Sequence, residues 1–305
     1  MATIAINNGE VLEVVYIFRG VHLKVITPLH VSGLWIPIYS DDPLKTGSIG
    51  AGINLSIYAV ATGRRGSCRA ILNNREVFTQ QSKVICSEAG VDAESNIYTP
   101  LDLGLGFGVS AATLISHSVY SFAVAGRPIL KALQVAHKLE VMGRTGLGDV
   151  IAEYTGGLAI RVSPGAPGFG YAYRVIPRGD VRLLAVSIGV AEETPSMLSR
   201  MSTSLCEYGE VLLRKVVESE DLMVYFESSR LFTSRLFDYS IVERVVSGLN
   251  GIISYYLKKS ALIMWVEREY IGEAIEELER KRLKPIPTTI SQVGVLIAHT
   301  PNPPT

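Results

Sequence analysis

The chain has 305 residues, and its 29 Lys+Arg balance 29 Asp+Glu to a formal net charge of zero. With 48% hydrophobic and 19% charged residues, it can build a sizeable core and does not read as disordered. The charge balance excludes the global positive field that nucleic acid or an anionic membrane surface would meet, though not a local basic patch.

At about 100–200 residues per domain, the length fits one large domain or two fused smaller ones. Cys68, Cys86 and Cys206 are too few and scattered for a disulfide framework or a zinc site, so free thiols in a reducing cytoplasm are expected. The opening MATIAINNGEVLEVVYIFRG lacks the basic start and apolar block of a signal peptide. Leu103 to Gly126 carries no Asp, Glu, Lys or Arg, but its glycines, serines and His117 favour a buried helix over a membrane span.

In chain order, the first hundred residues read mostly as strands at 11–19, 22–27, 52–62 and 67–73, with β-branched residues in partial alternation. The Pro/Gly/Asp-rich 38–52 reads as a loop. Ser110 to Ala125 forms an apolar helix, and Pro128 opens a second helix, PILKALQVAHKLEVM. GLAIRVS (157–163) is a strand and PGAPGFG (164–170) a loop.

A buried strand is expected at 181–191. Helical periodicity then runs from about 195 to 258. A strand at 261–267, a charged helix at 273–284 with Glu276–Arg280 and Glu277–Lys281 pairs, a strand at 292–299 and a fraying PNPPT tail complete the chain. The expected class is α+β, with two units meeting near 175–185.

Three segments carry chemistry. In Pro100-LDLGLGFGVSA-Ala112, the alternate glycines Gly104, Gly106 and Gly108 let the backbone approach a ligand. Successive N–H groups and the following helix N-terminus can then hold a phosphate. A tight turn packing a helix on a sheet would use the same residues. The spacing matches neither the P-loop nor GxGxxG.

His137 and Glu140 share a helix face, which suits either a site or an ordinary helix end. Asp149, after the Gly146–Gly148 turn, is either a helix cap or a site carboxylate. Arg161, on the apolar strand GLAIR, needs a carboxylate or phosphate partner, from the protein or from a ligand. Ser48 in TGSIGAG is an anion contact or a turn residue.

Taken together, these segments resemble the GHMP kinases. Pro100…GLGFGVSAA is similar to their phosphate motif PxxxGLGSSAA, and Asp149 precedes Gly156-Gly157 as that superfamily's aspartate precedes its Gly-Gly pair. Within the superfamily, GFGVSAA, TGLGDVIA, GGLAIR, PGAP and TPLHVSG…DPLKTGSIGAGINL resemble the archaeal pantoate kinases.

The resemblance implies a two-domain α+β fold, with a strand-rich ATP-binding unit over 1–178 and a ferredoxin-like strand/helix unit over 179–305. It implies that Gly104, Gly106, Phe107, Gly108, Val109, Ser110 and Ala111 hold ATP, that Ser110 and Glu140 hold Mg²⁺, and that Asp149 acts at the substrate hydroxyl. Ser48, His137 and Arg161 would hold pantoate, whose primary hydroxyl would receive the γ-phosphoryl group for coenzyme A synthesis.

Two features depart from the pattern. Ile49 stands where arginine is expected, and 258–272, with Trp265 and Val266, replaces the usual glycine-rich third motif. The alternatives are another GHMP small-molecule kinase (for homoserine, mevalonate or a sugar) or a GHMP-fold ligand sensor without transfer. No nucleic acid or membrane partner is expected, and a homodimer is left open.

Overall fold

A computed structural model describes residues 2–7, 10–16, 22–189 and 191–300. An antiparallel pair, β1 (Ala2–Asn7) and β2 (Glu10–Tyr16), precedes two long strands, β3 (His22–Ile38) and β4 (Gly47–Arg65). Next come β5 (Arg69–Leu72), β6 (Arg75–Val77), α1 (Thr79–Ala89) and β7 (Ala93–Tyr98). Three helices follow, α2 (Val109–Ala125), α3 (Ile129–Met142) and α4 (Asp149–Thr155), then β8 (Leu158–Ser163) and β9 (Tyr171–Val175).

The later part holds β10 (Leu183–Ser187), α5 (Thr194–Leu198), α6 (Thr203–Ser219), α7 (Leu222–Thr233) and α8 (Tyr239–Val246). It ends with β11 (Ile252–Lys258), β12 (Ala261–Val266), α9 (Ile271–Arg280), β13 (Ile286–Thr288) and β14 (Leu296–Thr300).

The large sheet runs β14-β3-β4-β7-β5-β6, with β8 pairing β4 and β9; the smaller antiparallel sheet runs β11-β12-β10-β13. The far half of β4 pairs β7 while its near half pairs β8, with Gly50 opposite Arg161. One strand thereby brings TGSIGAG beside GLAIR. Helix α2 is buried at nearly every position from Val109 to Ala123, as expected of a helix apolar all round. It packs among α1, α3 and the large sheet. The uncharged 103–126 window is therefore a core helix and its loop, and no helix among the described residues is long and apolar enough to cross a membrane.

Helix α7 packs on both β11 and β3, joining the two sheets. Tyr225 and Tyr256 pack edge to face and their hydroxyls are 2.9 Å apart. The Tyr256 hydroxyl donates to the Val31 carbonyl at 2.9 Å. These bonds satisfy two buried phenols while fixing the β3 segment that carries His30 and Ser32.

The α+β class and most elements match the sequence reading, with specific corrections. Strand β4 begins at Gly47, so the 38–52 loop is shorter than expected. Helix α1 and strand β7 lie in a stretch read as strands and punctuation. Residues 252–258 form β11, not helix end, because Tyr255 and Leu257 face one core while Tyr256 faces the other. The charged helix is α9, where Glu277 pairs with Arg280 at 2.8 Å.

Strand β14 returns to pair with β3, so the large sheet includes residues from beyond 179. Residues 17–19 of the first expected strand, residue 190 and the PNPPT tail lie outside the described residues. The thiols are not all free: Cys68 and Cys86, 18 positions apart in sequence, form a disulfide, leaving Cys206 as the free cysteine. Packing of α1 against β5 brings together two cysteines that look scattered in sequence. A closed loop of that length is worth roughly 3 kcal/mol of denatured-state entropy. Replacing both cysteines by serine should lower the unfolding free energy by about that amount in urea denaturation.

Candidate active site

Gly104, Gly106 and Gly108 have φ values of +83°, +100° and +73°, a backbone that side chains resist. Gly108 caps α2 without a side-chain hydrogen bond, and the helix's first turn holds no acidic residue. Its leading N–H groups therefore stay available to an anion. Close approach is also required: a Cβ on Gly106 would stand 2.3 Å from the Lys258 carbonyl oxygen. Ser260 Oγ donates to the Leu105 carbonyl at 3.1 Å. The β11–β12 turn is thus seated on the glycine loop.

This loop, the 145–149 turn, Ser32, Ser48, Thr194, Lys258 and Lys259 line a cleft. Asp149 is the first residue of α4, with Gly148 as its N-cap, so its own side chain is not the cap. Its Oδ1 accepts from His30 Nδ1 at 2.8 Å and lies 3.4 Å from Lys258 Nζ. Burial opposes the charge, but the Lys258 ammonium, the His30 hydrogen bond and Arg161 outweigh it and hold the carboxyl well below the usual range. Burial pulls His30 down to about 4, so it is a neutral imidazole at pH 7 with its proton on Nδ1. Both bonds use Oδ1, leaving Oδ2 toward Gly146 and the cleft.

Glu140 is almost fully buried. Its Oε1 accepts from Thr145 Oγ1 at 2.7 Å, while Oε2 has no partner. Burial pushes its carboxyl up to about 7, with Thr145 and Ser110 hydroxyls pulling the other way. A Cβ on Gly146 would stand 2.1 Å from Glu140 Oε2 and 3.4 Å from Asp149 Oδ2. The glycine separates the two carboxylates with no side chain between them. An orphaned buried carboxylate oxygen beside a serine hydroxyl is a hard oxygen set that fits Mg²⁺, which takes one or two protein oxygens and keeps waters.

Arg161 is fully buried. Its Nη2 donates to the Leu34 carbonyl at 3.2 Å and its Nη1 lies 3.5 Å from His30 Nε2. Among the described residues no carboxylate lies within salt-bridge distance of it, and its Nε is unpartnered. A Cβ on Gly148 would meet both Arg161 Nε and Ser48 Oγ, at 2.8 and 2.5 Å. That places the two groups together against Gly148, which with Ser48 lines the cleft.

His137 is placed differently from the sequence expectation. It does not line the cleft; its buried Nε2 donates to the Thr46 carbonyl at 2.9 Å, supporting the strand that carries Ser48. Ile49 points away into partly buried core contacts. Trp265 of the altered third motif packs on Phe226 at 5.7 Å, so the cleft-facing part of that motif is Lys258-Lys259-Ser260.

Sequence reasoning missed His30, Lys258, Lys259 and Glu153. The adjacent lysines in an otherwise apolar hairpin were a usable signal, because burial of a lysine pair demands anions. Lys259 Nζ contacts Thr194 Oγ1 at 3.0 Å, and burial lowers it to about 8. Glu153, one turn after Asp149, is fully buried with both carboxylate oxygens unpartnered. Burial, then Asp149 and Glu140, raise it well above the usual value.

No family model matches the chain. It is 30% identical over 181 residues to the pantoate kinase of Thermococcus kodakarensis, covering 55% of this chain and 60% of that one. It is 32% identical over 175 residues to the pantoate kinase of Methanospirillum hungatei, covering 52% and 59%. The match thus spans about three-fifths of each relative's length.

Among solved structures, a phosphotransferase related to the CoA biosynthesis pathway superposes with a TM-score of 0.76 at 22% identity, covering 91% of this chain and 98% of that one. A putative homoserine kinase from Listeria monocytogenes gives 0.64 at 11%, covering 91% and 100%. The chain has the GHMP kinase fold. A third structure of this kind, MDDEF in complex with MVAPP, AMPPCP and magnesium, gives 0.66 at 12%, covering 92% and 99%.

Glu153 offers a test of the site's electrostatics. Because its folded value is raised, the fold keeps a proton that the unfolded chain releases above about pH 4.5. Stability contributed by this group is therefore present below that pH and falls, by up to about 1.4 kcal/mol per unit, as pH rises toward the folded value. Glu153→Gln, a permanent mimic of the neutral acid, should melt higher than the wild type at pH 8 and equally at pH 4. An identical pH slope in the two proteins would mean that Glu153 is ionised in the fold.

Proposed function

We propose that this chain is an ATP-dependent kinase that phosphorylates the primary hydroxyl of pantoate to 4-phosphopantoate, a step of coenzyme A biosynthesis. The observation that carries the reading is Arg161, a fully buried guanidinium with an unpartnered Nε set against Gly148, which lines the Asp149 cleft together with Ser48. Asp149 acts on this cation only from beyond salt-bridge distance, and a small substrate carboxylate would supply the direct contact that a buried guanidinium calls for. The named pantoate kinases at about 30% identity support the same substrate.

In the mechanism, the N–H groups of Gly106 to Ser110 and the α2 N-terminus hold the nucleotide phosphates. Ser110 and Glu140 would hold Mg²⁺, which when bound neutralises phosphate charge. Lys259 adds a cation at the rim, next to Thr194. Arg161 and Ser48 take the pantoate carboxylate and so aim its distal hydroxyl at Asp149 Oδ2. His137 acts at one remove, by fixing Thr46.

Transfer forms a bond from the substrate oxygen to γ-phosphorus, breaks the bond to ADP and releases the hydroxyl proton. The strongly ionised Asp149 is a weak base, so it orients the hydroxyl and accepts the proton only as the new bond forms. The His30 N–H and Lys258 hold Oδ1 and keep Oδ2 free for that role. Orientation of this kind contributes more to phosphoryl transfer than covalent help does.

The test is ADP release from ATP and Mg²⁺ with pantoate, homoserine, mevalonate and galactose offered in turn. Turnover on pantoate is expected; turnover on another member alone would make the chain a different GHMP kinase. Arg161 by itself would also accept homoserine's carboxylate, so this comparison decides between them. Ser110 and Asp149 line one cleft, with buried Glu140 next to Ser110 and Gly146 behind it, and this grouping favours transfer over a ligand sensor.

Two variants test the assigned roles. Asp149→Asn should cut kcat about 10²–10⁴-fold while nucleotide affinity stays near wild type, read by single-turnover kinetics and calorimetry. Arg161→Lys should raise the pantoate KM at least about tenfold with little change in the ATP KM, since an ammonium cannot reproduce a bidentate guanidinium. The reverse split would remove Arg161 from the substrate site.

A further inference from the structure

The Cys68–Cys86 disulfide has a third neighbour, His117 on α2. One nitrogen of that ring and both sulfurs all lie within 4.8 Å of one another. His117 is fully buried. Its Nδ1 is taken by Ser95 Oγ at 2.8 Å, and its Nε2 has no partner. An orphan imidazole nitrogen inside a protein asks for a ligand. The cysteines line a surface cleft with exposed Lys83 and Asp92 at its edge, so a reductant and an ion can reach the sulfurs. These groups play no part in the cleft around Asp149.

We propose that Cys68, Cys86 and His117 form a redox-gated metal site, in which reduction of the disulfide frees two thiolates that bind one zinc-type cation together with His117 Nε2. A dithiol breaks the S–S bond, is itself oxidised to a disulfide, and leaves two protein S–H groups. The ion then displaces two protons and takes two S⁻ and one neutral nitrogen. Two thiolates and an imidazole suit Zn²⁺ and soft relatives rather than Mg²⁺. The Cα atoms of the two cysteines are 6.2 Å apart, so both sulfurs can reach one ion without moving the backbone far.

Burial keeps His117 at about 4, so the ring is neutral and competent as a ligand at pH 7. The Ser95 hydroxyl orients it, as outer partners of metal-bound histidines do. The fourth position would be left to water. Bound metal would take over the disulfide's tie between β5 and α1 under reducing conditions and add α2, the helix opened by the glycine loop.

The experiment uses the full chain with Cys206→Ser, so that the remaining thiols belong to the site. The protein is reduced with a phosphine, freed of reductant and titrated with Co²⁺, then with Zn²⁺. One equivalent of Co²⁺ should give a thiolate-to-cobalt charge-transfer band that Zn²⁺ abolishes, and Zn²⁺ should raise the melting temperature of the reduced protein only. The oxidised protein should show no band. Cys68→Ser should weaken binding at least about tenfold, and so should His117→Gln or, if that variant does not fold, Ser95→Ala. A disulfide that resists reduction, a reduced protein without the band, or a band unchanged in Cys68→Ser would overturn the proposal.

Discussion

The structure turns on a buried carboxylate that must stay charged. Asp149 is only 14% exposed, and in such a place ionisation persists only if cations and donors surround it. They come from separate parts of the chain: His30 from β3, Lys258 from the β11–β12 hairpin and Arg161 from β8. Holding them together requires both sheets and their joint at the Val31 carbonyl, where the Tyr256 hydroxyl closes the interface. Removing one cation would leave an uncompensated buried charge, so fold and site stand on the same contacts.

A second constraint follows from zero net charge. With no long-range field to gather anions, attraction has to be local. The glycine loop supplies it with backbone N–H groups at the α2 N-terminus, and the hairpin supplies Lys258 and Lys259. Negative groups are kept from cancelling this attraction. Burial holds Glu153 well above the usual carboxylate range and pushes Glu140 up to about 7. Positive and negative side chains are thus balanced in number but not in protonation at the site.

Much of this was legible in sequence because it is local. Alternate glycines before an apolar helix, an aspartate after a glycine turn and an arginine inside an apolar strand each follow from backbone freedom or burial cost over a few residues. What was not legible depends on distant partners. The family resemblance made His137 a pantoate contact, whereas its ring bonds to the Thr46 carbonyl in the fold. His30 sat inside TPLHVSG without distinction until β3 carried it to Asp149. The third motif looked degraded at Trp265, whereas the residues facing the cleft are the lysines before it. The cysteines misled for the same reason, since α1 packing on β5 has no signature in their spacing.

The resemblance to the GHMP kinases grouped Ser110, Glu140, Asp149 and Arg161, while the amino-acid sequence by itself determined the α+β class and the glycine loop with its core helix. Periodicity, glycine freedom and the cost of buried charge act within a few residues of each. Only the tertiary structure decided which oxygen of Asp149 is free, that Arg161 has no acidic partner among the described residues and that β14 returns to the large sheet. Those are matters of long-range pairing, where a contact is chosen by the packing of whole elements and not by neighbours along the chain.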